Sequence, residues 1–236
     1  KLLLASLTLQ SPFMVLVVKL TADPNCFTSN LVNIGSRTAL FILAAMATFM
    51  GTLNSYREIC REREIILREA SVGVSLPAVV LSKAAVLLLV EVLQAAILAL
   101  GFVSIVHVPQ NHLLLETEIF ITVLLTMFSS SCIGLLISAL FTSGESAILA
   151  VLVLMIGQVV FSNIMFTVTG AAATISNIIV CRWGMGALGA STDLNSRMAW
   201  LQAGLDGPMY DATVENLTHS WQMLGLISVV CLVAAW

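Results

Sequence analysis

"PAVVLSKAAVLLLVEVLQAAILALGFVSIV", residues 77–106, runs for thirty residues with only Lys83 and Glu91 charged. A helix that crosses a bilayer needs about 20 mostly apolar residues, because backbone groups in lipid must satisfy one another within the helix. This stretch is long enough, and Pro77 at its front suits a first helical turn, where a missing N–H costs nothing. The whole chain follows suit: of 236 residues, 59% are hydrophobic and 10% charged, against about 25% charged in soluble domains. The sequence predicts an all-α integral membrane protein.

Working outward, apolar runs of the same kind recur. Upstream, helices are expected over about 2–19 and 34–54, separated by "TADPNCFTSN" with Pro24 and several turn formers. Downstream they are expected over about 118–142, 146–167 and 219–236, giving six spans with 77–106. "TSGES", residues 142–146, is short enough to make its flanking helices antiparallel neighbours. Between the fifth and sixth spans lies a polar stretch, 168–218. Lys1 already stands inside an apolar run and Trp236 inside another, so further domains are expected beyond the segment.

Several classes drop out. A net charge of -3 and the lack of any Lys/Arg run give no field for nucleic acid. Cys26, Cys60, Cys132, Cys181 and Cys231 are scattered, with neither metal spacing nor a disulfide framework. They read as small buried residues, although Cys26 and Cys181 fall on one side of the predicted topology and a pairing stays open. His107, His112 and His219 show no metal spacing. There is no G-x-S-x-G, paired intramembrane Asp or H-E-x-x-H to support an intramembrane enzyme.

Charge is concentrated just before the quoted run. "NSYREICREREIILREASVG", residues 54–73, carries eight of the twenty-three formal charges. Arg57, Arg61, Arg63 and Arg68, with Lys83 behind them, make this side cytoplasmic by the positive-inside rule. Lys19, Arg37, Arg182 and Arg197 then fall outside, together with Asp193, Asp206, Asp211 and Glu215. Read as a helix over 55–70, the segment puts positions 56, 59, 60, 63, 66, 67 and 70 on one face, all apolar or small except Arg63. The opposite face offers Glu64–Arg68 and Glu58–Arg61 as ion pairs. Interfacial helices that lie on lipid are usually rich in Lys and Arg. Here acids and bases balance, which suits a protein partner, the plainer alternative being a solvated helix that only connects two spans.

The run "REICREREIILREASVGVSLPAVVLSKAAVLLLVEVLQ", residues 57–94, resembles the segment after the second membrane helix in ABC transporters of the ABC-2, or G-subfamily, type. "ISNIIVCRWGMGALGASTDLN", residues 175–195, resembles the short re-entrant external helix of that family, with Arg182 and Trp183 at its R-W/Y pair. The proline that many members carry before that pair is Val180 or Cys181 here. The resemblance extends to actinobacterial, including mycobacterial, exporters in which FHA domains and an ATPase domain precede the membrane domain. No G-x-x-x-x-G-K-[ST] phosphate loop occurs in this chain, so ATP and Mg are expected on a nucleotide-binding domain outside it.

That resemblance implies a division of labour. The connecting helix packs on the nucleotide-binding domain, through Glu58, Arg61, Glu62, Arg63, Glu64, Arg68 and Glu69, with Glu145 of the short internal loop as a lesser contact. A substrate path runs between two copies of the chain, lined on the second span by Phe41, Met46, Phe49 and Met50. The fifth span adds Met155, Gln158, Phe161, Asn163, Met165 and Phe166. Met and Phe make an adaptable apolar surface, and they are also ordinary lipid-facing or core residues. Gln158 and Asn163 should face the protein interior, although five positions apart they cannot share one face. Ionisable residues at membrane depth are functional candidates by default, but Lys83 is near enough to an end to snorkel and Glu91 has Gln94 a turn away, so structural roles are favoured. The function implied is ATP-driven export of a lipid or other amphiphile across the plasma membrane by a homodimer surrounded by membrane lipid. The alternative is an ion- or proton-coupled secondary transporter, although no internal repeat of the kind common there is visible.

Overall fold

In the computed structural model, residues 2–27, 34–108, 115–162, 164, 170–195 and 207–236 are described, with side chains from residue 9 onward except at 34, 115 and 171. Among them the regular structure is entirely helical. The helices are α1 (Leu2–Thr21), α2 (Ile34–Ser55), α3 (Arg63–Ser71), α4 (Leu76–Ile105), α5 (Leu115–Leu140), α6 (Gly144–Val160), α7 (Ala171–Ser176), α8 (Val180–Ser191) and α9 (Val214–Ala234), with single 3-10 turns at Cys60–Glu62 and Pro208–Tyr210. Apolar helices long enough to cross a membrane include α2 with its continuation, α4, α5 and α9, while α6 and the stretch Leu9–Thr21 of α1 are shorter.

Helix α5 forms the axis of the bundle, packing against α2, α4, α8 and α9. Its sequence explains how so many neighbours fit. Ser129, Ser130, Ser131 and Cys132 are buried small residues, as are Thr126 and Thr122 one and two turns earlier. Small residues let backbones approach, which is how membrane helices associate when lipid removes the hydrophobic drive between them. At Gly51 of α2 the approach is limiting, since a Cβ there would stand 2.1 Å from the carbonyl oxygen of Met127. Polar side chains then tie the seams. Ser131 donates to the Gly51 carbonyl at 2.7 Å, Ser129 meets Ser228 of α9 at 2.9 Å, and Asn54 of α2 donates to Gln94 of α4 at 2.7 Å.

Three helix boundaries differ from the expected ones. The fifth span, expected over 146–167, ends at Val160, where the Phe161 N–H closes back on the Gly157 carbonyl at 2.9 Å. The last helix starts five residues before the expected His219, because the Thr213 side chain caps it by accepting from the Asn216 N–H at 3.3 Å. The charged segment is not one helix over 55–70. It breaks after Ser55, tightens into the Cys60–Glu62 turn and resumes at Arg63. The expected partner of Glu91 changes as well: Gln94 is taken by Asn54, while Glu91, fully buried, is bonded to Ser131 of α5.

Candidate coupling joint

The break in the charged segment has a local cause. The hydroxyl of Ser138, near the end of α5, accepts from the N–H groups of Ile59 at 2.9 Å and Cys60 at 3.0 Å. Backbone donors that a continuous helix would have used internally are thus spent on α5, and the chain turns there. Cys60 and Ile66 are buried beneath the segment. Leu67, expected on the same face, is 57% exposed, since the 3-10 turn winds by three residues rather than 3.6 and rotates α3 relative to the residues before it.

A second tie runs to α4. The Lys83 ammonium donates to Glu62 at 2.6 Å and lies 3.9 Å from Glu58. This hydrogen bond, opposed by the cost of partial burial and aided by the attraction of the same ammonium, leaves the Glu62 carboxyl below its ordinary 4.5. Lys83, near the start of α4, thus ends on protein acids. Glu58 and Glu62, both half-buried, thus stand beside Lys83 of α4 while remaining partly exposed. The expected Glu58–Arg61 and Glu64–Arg68 pairs do not form among the described residues: Arg61 stands 3.5 Å from Glu62 instead.

The outward side is a mixed surface. Arg61, Glu64, Arg68 and Glu69 are exposed, as is Glu145 in the first turn of α6. A Cβ on neighbouring Gly144 would lie 3.5 Å from the Arg57 Nε, so the α5–α6 loop and the charged segment adjoin. Ile65, 55% exposed, and Val72, 86% exposed, add apolar area beside these charges. Arg63 is half-buried, lining a groove against α4, α5 and the end of α9.

The other candidate residues are dispersed over the bundle. Phe41, Phe49, Met155 and Phe161 are half-buried, whereas Met46, Met50 and Gln158 are buried within the single chain. Gln158 does face the interior, where its Oε1 accepts from the Cys181 N–H at 3.0 Å, tying α6 to the start of α8. Asn163, Met165 and Phe166 lie outside the described residues. Arg182 and Trp183 open α8 and both grip Asn177, through its side-chain oxygen at 2.7 Å and its carbonyl at 2.8 Å. The Trp183 ring meets His219 edge-on at 5.4 Å. Cys26 and Cys181 are buried and form no disulfide with each other, so the pairing left open by the sequence is not made.

Ser138 is the residue of this arrangement that periodicity missed. Within "GLLISAL" it looks like any small residue of a membrane helix, and no spacing rule marks which hydroxyl will capture a distant backbone.

Two comparisons bear on this arrangement. The sequence pattern of the ABC-2 family transporter proteins matches residues 10–236. Over 161 residues, 66% of this chain and 19% of the relative, the sequence is 34% identical to the ABC transporter ATP-binding/permease protein Rv1747 of Mycobacterium tuberculosis. The chain thus spans about a fifth of the length of that relative.

Proposed function

The chain belongs to the ABC-2 family of transporter proteins, and from that premise we propose that it is the membrane domain of an ATP-driven exporter whose charged segment is the mechanical joint. In this reading two copies assemble in the plasma membrane, and residues 56–71 meet a nucleotide-binding domain on the cytoplasmic side. ATP and Mg bind on that domain. The mycobacterial relative is by name an ATP-binding/permease protein, which supports an ATPase fused to this permease; FHA domains upstream belong to the proposal through the resemblance alone.

The observation that carries the reading is the two-sidedness of the joint. Ser138 and the Lys83–Glu62 pair fasten it to α5 and α4, while Arg61, Glu64, Arg68 and Glu69 stay exposed. A displacement imposed on the exposed charges would therefore pass to two helices of the bundle. Helix α8, wedged at the opposite end and introduced by Arg182 and Trp183, serves as the re-entrant external segment. The half-buried Phe41 and Phe49 of α2, Met155 of α6 and Phe161 just after it offer an apolar surface for an amphipathic cargo between two copies.

The test uses the complete transporter in proteoliposomes with a fluorescent phospholipid as cargo. Arg61→Ala combined with Glu64→Ala should leave ATP hydrolysis running while lipid transport falls several-fold. Transport unchanged by the double substitution would sink the joint.

A further inference from the structure

The apolar face of the charged segment contains one cation, Arg63, that its periodicity does not explain. Arg63 lines a groove of about 190 Å³ walled by Ile66, Leu76, Val80, Ala139 and Trp236. It is half-buried, and among the described residues it makes no ion pair or side-chain hydrogen bond. The acids of its own segment do not serve it. Glu58 and Glu62 face Lys83, and Glu64 and Glu69 are exposed without an ion pair among the described residues. Its guanidinium, beside apolar side chains and without a protein acid among the described residues, keeps its N–H donors available to an anion.

The position of the groove indicates where that anion comes from. Its wall is made by the first turns of α4, the last turn of α5 and residues 235–236, where α4 begins, α5 ends and the charged segment lies between them in space. In a chain that spans a bilayer, such a change from apolar helix to charged segment falls at the level where hydrocarbon gives way to headgroups. Basic pockets between membrane helices at this depth suit anionic headgroups.

We propose that this groove binds one anionic phospholipid of the adjoining leaflet, with an acyl chain along Ile66, Leu76, Val80, Ala139 and Trp236 and the phosphate on Arg63. The planar guanidinium can give two parallel N–H bonds to phosphate oxygens, which a zwitterionic headgroup would share with its own cation. The bound lipid would join α3 to α4, α5 and α9 and so complete the fastening that Ser138 and Lys83 begin. This inference depends on the chain lying in a membrane, not on ATP-driven export, and its test reads no transport.

Native mass spectrometry of the complete transporter, offered phosphatidylglycerol and phosphatidylcholine with the same acyl chains, should show preferential retention of phosphatidylglycerol. Arg63→Ala should cut that preference about fivefold, the size of one interfacial cation's contribution, while Arg63→Lys keeps part of it and Arg68→Ala leaves it unchanged. Ala139→Trp, which fills the groove, should lower retention of both lipids. Equal retention of the two lipids by the wild type would overturn the site, as would an unchanged preference in Arg63→Ala or an equal loss in Arg68→Ala. Displacement of the lipid by millimolar inorganic phosphate would assign the cation to a soluble anion and overturn the lipid as occupant.

Discussion

The two ends of the bundle are built on opposite principles. At one end α8 buries every residue from Val180 to Ser191 except Arg182, and its glycines are the points of contact. A Cβ on Gly184 would stand 2.7 Å from Thr126 Oγ1, one on Gly186 2.3 Å from the Met209 side chain, and one on Gly189 2.6 Å from the Tyr210 ring. At the other end the charged segment buries Cys60 and Ile66 and leaves Ile65, Leu67 and Val72 largely exposed. Shape holds the first end, whereas a few polar contacts hold the second. Close-packed interiors resist small displacements, while exposed ion pairs exchange for water at little cost, so an applied force should move the charged segment and leave α8 in place.

The largest effect that would break this contrast is steric. Gly184→Val puts two methyl groups where even a Cβ is too close to Thr126, and overpacking of this kind costs about 1–3 kcal/mol. Chemical denaturation of the purified protein should show that loss. A variant as stable as the wild type would mean that α8 is loosely seated and that the two ends differ less than their packing indicates.

Next comes the tie to α5. Ser138→Ala removes the acceptor shared by the Ile59 and Cys60 N–H groups, and leaving such donors unsatisfied costs about 1–3 kcal/mol if water cannot reach them. The segment lies at the bundle end, so the lower part of that range is expected. Hydrogen exchange should accelerate at residues 59–71 and stay unchanged in α8; acceleration at both ends together would show that the bundle opens as one unit.

How much of this is legible in the sequence depends on what kind of signal each element carries. The span at 77–106 announces itself by unbroken apolar length, and α4 runs Leu76–Ile105. The short α6 does not, because "FSNIMFTV" continues the apolar run of 146–160 while the backbone has already closed its last turn at Phe161. The charged segment is readable as amphipathic because alternating faces arise from local periodicity. Its break is not, since the cause is Ser138, some 80 residues away in the chain. Lys83 is similar: its depth predicts snorkelling, but only the fold brings Glu62 to meet it. Glycine positions in α8 are visible as "GMGALG", yet nothing local tells whether such a stretch is a flexible turn or a seam.

A smaller effect separates charge from packing within the joint. The Lys83 hydrogen bond holds the Glu62 carboxyl below its ordinary 4.5. A carboxylate with a depressed folded pKa stabilises the fold above its unfolded pKa, and the contribution disappears as pH falls through the folded value. Stability should therefore drop as pH is lowered from about 5 toward the folded value, and Lys83→Met should flatten that part of the curve. The pair is partly exposed, so no more than about 1 kcal/mol is at stake. A slope equal in wild type and variant would assign the acid sensitivity to another carboxylate.

The smallest effect on stability is expected where the largest effect on coupling is proposed. Arg61 and Glu64 are exposed, and the Arg61 contact to Glu62, at 3.5 Å between exposed side chains, is of the kind worth little. Replacing both by alanine should change unfolding free energy by no more than about 0.5 kcal/mol, while hydrogen exchange in α8 stays at its wild-type rate. If the segment is the movable end of an otherwise rigid bundle, the same double variant loses transport with its fold intact, and a measured destabilisation of several kcal/mol would instead make these charges part of what holds the bundle together.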